Sequence, residues 1–110
     1  MIEVVVRNFL ESAGFRAYME TPVKPEEEYF LVEKTGSMRQ NIIKKDTIAV
    51  QCISKNSLFR AAQMCEQLIE AMDDLSSLDE VFSCKLVSDY NYTNTATKEY
   101  RYQAIFTICY

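Results

Sequence analysis

The clearest pattern along the chain is an amphipathic stretch in its second half. Its apolar side chains recur at three- and four-residue intervals: Leu58, Ala61, Ala62, Cys65, Leu68, Ile69 and Met72. This spacing places them on one face of a helix, and the glutamines and glutamates between them lie on the opposite face. We therefore predict a helix with one buried face, and either Asn56 or Ser57 can cap its start.

The first residues of the chain show the same spacing. The apolar positions are Ile2, Val5, Val6, Phe9, Leu10 and Ala13. Gly14 follows at the point where the end of a helix favours glycine. We predict a helix over residues 2–13, and the many β-branched side chains leave a strand over residues 2–6 as the alternative.

Three segments between these helices are candidates for strands or their connections. Residues 15–20 alternate loosely before Pro22 and Pro25, which indicates a short edge strand followed by a turn. Residues 29–34 are rich in strand-forming side chains and stop at Thr35-Gly36, a turn signal. Residues 37–45 have no regular period and are predicted to be a loop.

Three further strands complete the prediction. Residues 46–54 are apolar on both faces, which is typical of a central strand. Residues 81–92 and 100–110 alternate as strands, and the polar residues 93–99 are predicted to join them as a hairpin connection. The order of elements predicts an α+β fold, with a mixed or antiparallel sheet of four to five strands and two helices packed on it. At 110 residues, the chain is expected to form one domain over residues 1–110.

Charge narrows the range of partners. The net charge is −4 and the isoelectric point is about 4.8, so the positive field typical of a nucleic-acid-binding protein is missing. The first ten residues contain Glu3 and Arg7 and are too short to span a membrane or to act as a signal peptide. We expect protein partners, no membrane, no specific nucleic acid and a cytosolic location.

The residues that usually carry catalysis are scarce. The chain has no histidine and only two glycines, which excludes the usual histidine dyads and glycine-rich phosphate loops. The acidic clusters at residues 26–28 and at Asp73, Asp74, Asp79 and Glu80 match no metal-binding loop and are interpreted as solvated. The four cysteines, Cys52, Cys65, Cys84 and Cys109, are interpreted as small buried apolar groups. We expect no enzyme activity, no cofactor and no metal.

Two groups of residues are candidates for a protein interface. Arg39, Lys44 and Lys45 form the only basic concentration, which favours contact with an acidic partner surface, or simply a solvated loop. Tyr90 and Tyr92 belong to a tyrosine-rich final hairpin that a domain of this size cannot bury completely. Exposed aromatic side chains are common interface anchors, so we predict that role for them, with core packing as the alternative.

The order and spacing of three short motifs resemble those of a known family. The motifs are Glu33-Lys34-Thr35-Gly36, Ile48-Ala49-Val50-Gln51-Cys52 ahead of the Ala61-Ala62 helix, and Tyr100-Arg101-Tyr102-Gln103-Ala104. Together they resemble the tail-terminator and minor-tail (tail-completion) proteins of siphophages and their prophages. The similarity covers nearly the whole chain.

The resemblance implies a virion protein that caps the growing tail tube as a ring, usually a hexamer. Its partners would be itself, the major tail-tube protein and the head-connector protein. Its location would be the host cytoplasm during assembly and then the junction of tail and head in the virion. Two alternatives stay open: another neck component, such as a stopper or head-completion protein, and a small ligand-binding α+β domain.

Overall fold

The computed structural model describes residues 1–24, 26–40, 42–93, 96 and 99–110. These described residues form two helices and five strands. In chain order the elements are α1 (Ile2–Ser12), β1 (Ala17–Tyr18), β2 (Glu28–Gln40), β3 (Ile43–Ser54), α2 (Leu58–Met72), a 3-10 turn (Leu75–Ser77), β4 (Ser83–Asn91) and β5 (Tyr100–Cys109).

The strands form one mixed sheet in the order β1-β2-β3-β5-β4. Among the described strands, the two-residue β1 pairs in parallel with β2, and the other neighbouring pairs are antiparallel. The predicted α+β class with two helices is therefore confirmed, as are the short edge strand near residue 17 and the central position of β3.

Both helices pack on the same face of the sheet, which we call the helix-covered face. Side chains such as Val6 from α1 and Leu68 from α2 meet Val50 and Phe106 in the main core. Because side chains alternate across a strand, Gln51 and Gln103 point to the opposite side, which we call the open face. A small second cluster of Tyr29, Leu31 and Ile53 with Tyr18 lies there.

The predicted helix boundaries are confirmed to within one residue, and the alternative strand over residues 2–6 is wrong. Gly14 has φ +95°, and the amides of Gly14 and Phe15 donate to the carbonyls of Glu11 and Leu10. These two bonds close the end of α1, as a glycine in the left-handed region allows. At the start of α2, the Ser57 side chain accepts a hydrogen bond from the Arg60 amide.

The prediction that the second strand ends at Thr35-Gly36, before a loop over residues 37–45, is wrong. β2 continues to Gln40 and pairs with β3 from Ile43 onward, so Arg39, Lys44 and Lys45 lie on strands. Thr35 is accommodated as an irregularity between Lys34 and Gly36 and does not turn the chain. The sequence shows no alternation here because this part of β2 is exposed on both faces.

The remaining connections are described only in part. The predicted proline turn includes Pro25, and the predicted connection over residues 93–99 includes Asn94, Thr95, Thr97 and Lys98. These five residues, and Asn41 at the β2–β3 turn, lie outside the described residues. The last two strands agree with their predicted ranges to within two residues.

The length of β2 accounts for the elongated shape. Thirteen residues at about 3.3 Å each give about 43 Å, and the longest extent of the molecule is 44 Å. Within the described part of the chain, no helix has both the length and the apolar character required to cross a membrane.

Candidate protein interface

β4 is an edge strand with almost no cover. Among the strands that the structure describes, it pairs with β5 alone, and seven of its nine residues are exposed. Large apolar side chains are concentrated on it and beside it, and the most exposed is Phe82 at 76%. The others are Leu86, Val87, Tyr90 and Tyr92. A strand whose outer edge is unpaired and which carries such side chains is a typical site of protein association.

The two tyrosines predicted as anchors lie together at the end of this edge. Tyr90 and Tyr92 are 40% and 50% exposed, and their rings form an edge-to-face pair with centroids 6.1 Å apart. The Gln103 side chain donates a hydrogen bond to the Tyr90 hydroxyl, which fixes one ring. The core-packing alternative is wrong for both tyrosines, and their role at an interface stays a prediction.

The opposite edge of the sheet is also largely unpaired. β1 covers β2 only at Phe30 and Leu31. Among the described residues, no other strand pairs with the outer side of β2, so residues 32–40 have a free edge. The sheet therefore ends in two free edges, one on β2 and one on β4, each nine residues long.

The three predicted basic residues lie together at the end of the β2–β3 ribbon. Arg39 is opposite Lys44, and Lys45 is opposite Met38. Exposed apolar side chains accompany the cations at Met38, Ile42 and Ile43. We call Met38, Arg39, Ile42, Ile43, Lys44 and Lys45 the tip surface. This mixture of cations and apolar groups suits an acidic protein surface with apolar contacts, and the apolar members were missed by sequence reasoning.

The tip surface is supported by a buried carboxylate. Asp46 is only 1% exposed, and its two oxygens accept hydrogen bonds from the Ser37 hydroxyl and the Tyr110 hydroxyl, both at 2.6 Å. Burial by itself raises the pKa of Asp46, but these two hydrogen bonds and the nearby positive charges of Lys34 and Arg39 outweigh it. The net result is a pKa below the usual value.

Tyr110 links this carboxylate to the tip surface. The Lys44 ammonium lies 5.7 Å from the centroid of the Tyr110 ring, and the Tyr110 amide donates to the Lys44 carbonyl. Its hydrogen bond to Asp46, followed by burial and the carboxylate charge, raises the pKa of the Tyr110 hydroxyl. These contacts join residues far apart in sequence, so no local pattern could have indicated them.

The interpretation of residues 26–28 as purely solvated is wrong for Glu28. Its carboxylate pairs with the Arg60 guanidinium at 2.8 Å and accepts hydrogen bonds from Ser54 and Asn56. Burial raises the pKa of Glu28, but the hydrogen bonds, led by that from Arg60, outweigh it and lower the pKa. The pair ties the start of β2 to the first turn of α2. Asp73, Asp74, Asp79 and Glu80 are exposed, as predicted.

The cysteines are only partly as predicted. Cys52 and Cys65 are buried and face each other in the main core, where burial raises the pKa of the Cys52 thiol. Cys84 and Cys109 are half-buried, and Cys109 lies on the open face, away from the main core. Burial raises the pKa of Cys84 to about 11.

A cleft on the helix-covered side of the sheet offers little for a ligand. It has a volume of about 230 Å³ and lies between the end of α1, the start of β2 and α2, with Phe15, Glu28, Arg60 and Met64 among its walls. Of its charged groups, Glu28 and Arg60 already neutralise each other, and Arg16 pairs with Glu26. In the described ranges, no group of three or more cysteine or carboxylate side chains is arranged to hold a metal ion.

The structure separates the two predicted interface groups. Lys45 shares a row of the sheet with Cys109 and Ser83, whereas Tyr90 lies seven residues further along β4. At about 3.3 Å per residue, this is about 23 Å along the strand direction, and the strand β5 also lies between β3 and β4. The tip surface and the tyrosine pair are therefore two separate surfaces.

Comparison with known proteins does not assign this chain to a family: no family model matches it, and no curated protein sequence does.

Proposed function

We propose that this chain is a structural protein that caps the tail tube of a long-tailed phage as a ring. In this role it ends tail polymerisation and offers a surface to the head connector. The proposal starts from the motif order described above and is supported most by one observation: the sheet has two free edges, and one of them carries exposed aromatic and aliphatic side chains.

Two unlike free edges suit a ring. A ring of identical subunits requires that one flank of each subunit complements a different flank of the next. The β4 edge and the β2 edge lie on opposite flanks of the sheet, so each subunit can contact two neighbours at once. The tip surface lies at one end of the long strands, and its residues outside β2, namely Ile42, Ile43, Lys44 and Lys45, stay free for a different partner. We assign it to the tail-tube ring.

The first test is deletion of the gene from the phage or prophage that carries it, with electron microscopy of the lysate. We expect overlong tubes, or tubes without heads, and recovery of normal tails when the wild-type gene is supplied in trans. Tails of normal length beside unjoined filled heads would favour another neck component. Wholly normal virions would contradict the proposal.

A second test addresses the tip surface. The deletion strain is supplied with Lys44→Glu/Lys45→Glu or with the control Lys24→Glu/Lys55→Glu, which changes the net charge equally at exposed sites outside the tip surface. We expect the tip variant to leave overlong tubes and the control to restore normal length. If the tip variant restored normal tail length, the tip surface would have no role in capping. The proposal that the chain forms a ring would not be affected.

A further inference from the structure

We infer that subunits of this chain assemble by pairing the β4 edge of one copy with residues 32–40 of β2 in the next copy, in a single register. The inference rests on the ring proposed above and specifies its contact. The occupant of each free edge is therefore a second copy of the same chain.

Strand direction is the first argument. β2 is antiparallel to β3, β3 to β5, and β5 to β4, so β2 and β4 run in opposite directions. A second copy placed beside β4 with its helices on the same side of the sheet presents its β2 edge antiparallel to β4. The sheet then continues from one subunit to the next with antiparallel pairing throughout the contact, which is the more stable arrangement.

Length is the second argument. The free part of β2 covers residues 32–40 and β4 covers Ser83–Asn91, and both contain nine residues. The register that uses both edges fully places Val32 opposite Asn91 and Gln40 opposite Ser83. A shift in either direction leaves backbone donors and acceptors of both strands unpaired at the ends.

The irregularities of the two strands are the third argument. β2 has an extra residue between Lys34 and Gly36, and β4 has one between Leu86 and Ser88. In the full register these two bulges lie side by side, so neither displaces the pairing beyond it. On both sides of the bulges, each β2 side chain on the helix-covered face then lies opposite a β4 side chain on the same face. A bulge in only one strand would reverse the faces over half of the contact.

Charge is the fourth argument. The full register places Lys34 opposite Asp89, and both side chains are exposed on the helix-covered side. On the open face it places Glu33 opposite Tyr90. An opposite-charge pair directly across two strands stabilises the pairing, and like charges there destabilise it.

The test exchanges these two charges. Lys34→Glu and Asp89→Lys each place like charges opposite one another, whereas the double variant restores an opposite-charge pair in reversed order. Controls are Lys55→Glu, Asp79→Lys and their combination, which make the same charge changes at exposed positions outside both edges. Circular dichroism of every variant checks that the monomer is folded.

Assembly is measured by native mass spectrometry and sedimentation velocity over a range of protein concentrations. We expect rings for the wild type, the double variant and the controls. Each single variant should need about tenfold more protein for half-assembly, because the unfavourable pair recurs at every contact of the ring.

Three results would overturn the inference: a monomeric wild type, single variants that assemble like the wild type, or a double variant that fails to recover while its control forms rings. The capping function is judged separately by the deletion phenotype. If deletion gave overlong tubes and each single variant complemented it fully, the proposed capping function would stand. The proposed pairing of the β4 and β2 edges would be refuted.

Discussion

The buried contact between Asp46 and Tyr110 provides a quantitative test of how the base of the tip surface is held. Tyr110→Phe removes one hydroxyl donor from a carboxylate that is 1% exposed. A hydrogen bond to a charged group contributes about 1.5–3 kcal/mol, so we expect the free energy of unfolding to fall by about 2 kcal/mol at pH 7. Asp46→Ala also removes the hydrogen bond from the Ser37 hydroxyl, and its expected cost is about 3 kcal/mol.

Urea denaturation of the wild type, both single variants and the double variant forms a double-mutant cycle. We expect the double variant to lose about 1–2 kcal/mol less than the sum of the two single losses. Each single variant already removes the hydrogen bond between Tyr110 and Asp46, so the sum includes that bond twice. Two results would refute the assigned role of this hydrogen bond. One is a double variant whose loss of unfolding free energy equals the sum of the two single losses, and the other is a Tyr110→Phe variant as stable as the wild type.

The contact also predicts a dependence on pH. The pKa of Asp46 is lowered in the folded state, while an unfolded aspartate has a pKa of about 3.9. Its stabilisation is therefore complete well above pH 4 and is lost as the pH falls through the folded-state pKa. The difference in stability between the wild type and Tyr110→Phe should shrink as the pH falls through the folded-state pKa of Asp46, because a protonated carboxyl forms only a weaker, neutral hydrogen bond. A constant difference would contradict this assignment.

Three further predictions concern the fold and its thiols. Gly14→Ala should lower the free energy of unfolding by about 1 kcal/mol, because Gly14 has φ +95° although the surrounding space is open; thermal denaturation measures this. Arg60→Met should cost about 1 kcal/mol at pH 7 by removing the ion pair with Glu28. This loss should decrease as the pH falls below about 4, since the pKa of Glu28 is lowered in the folded state. Cys84 should react with iodoacetamide at pH 8 roughly 100-fold more slowly than a free cysteine, because burial raises its pKa to about 11; peptide mass spectrometry after timed quenching measures the rate.

The sequence predicted the basic and tyrosine members of the candidate interface, but neither its apolar members nor its arrangement. The basic residues and the tyrosines stand out by composition, and the structure finds all of them exposed. The sequence could not indicate that Arg39 and Lys44 face each other across a ribbon, because the segment has no alternation and contains a turn signal. It also could not indicate the free edges, since strand order is a property of the whole sheet.

The sequence alone determined the two helices, the end of α1 at Gly14 and the central character of β3, and it placed the cap of α2 at Asn56 or Ser57. The structure assigns that cap to Ser57. Each feature that the sequence determined depends on side-chain periodicity or on a backbone preference within a few residues, and such signals are local. The tertiary structure alone decided that β2 continues through Thr35-Gly36, that Glu28 pairs with Arg60, and that Asp46 is buried beneath Tyr110. The pairing of Glu28 and the burial of Asp46 depend on partners between 9 and 64 positions away along the chain, and these contacts become favourable only when the sheet brings the partners together.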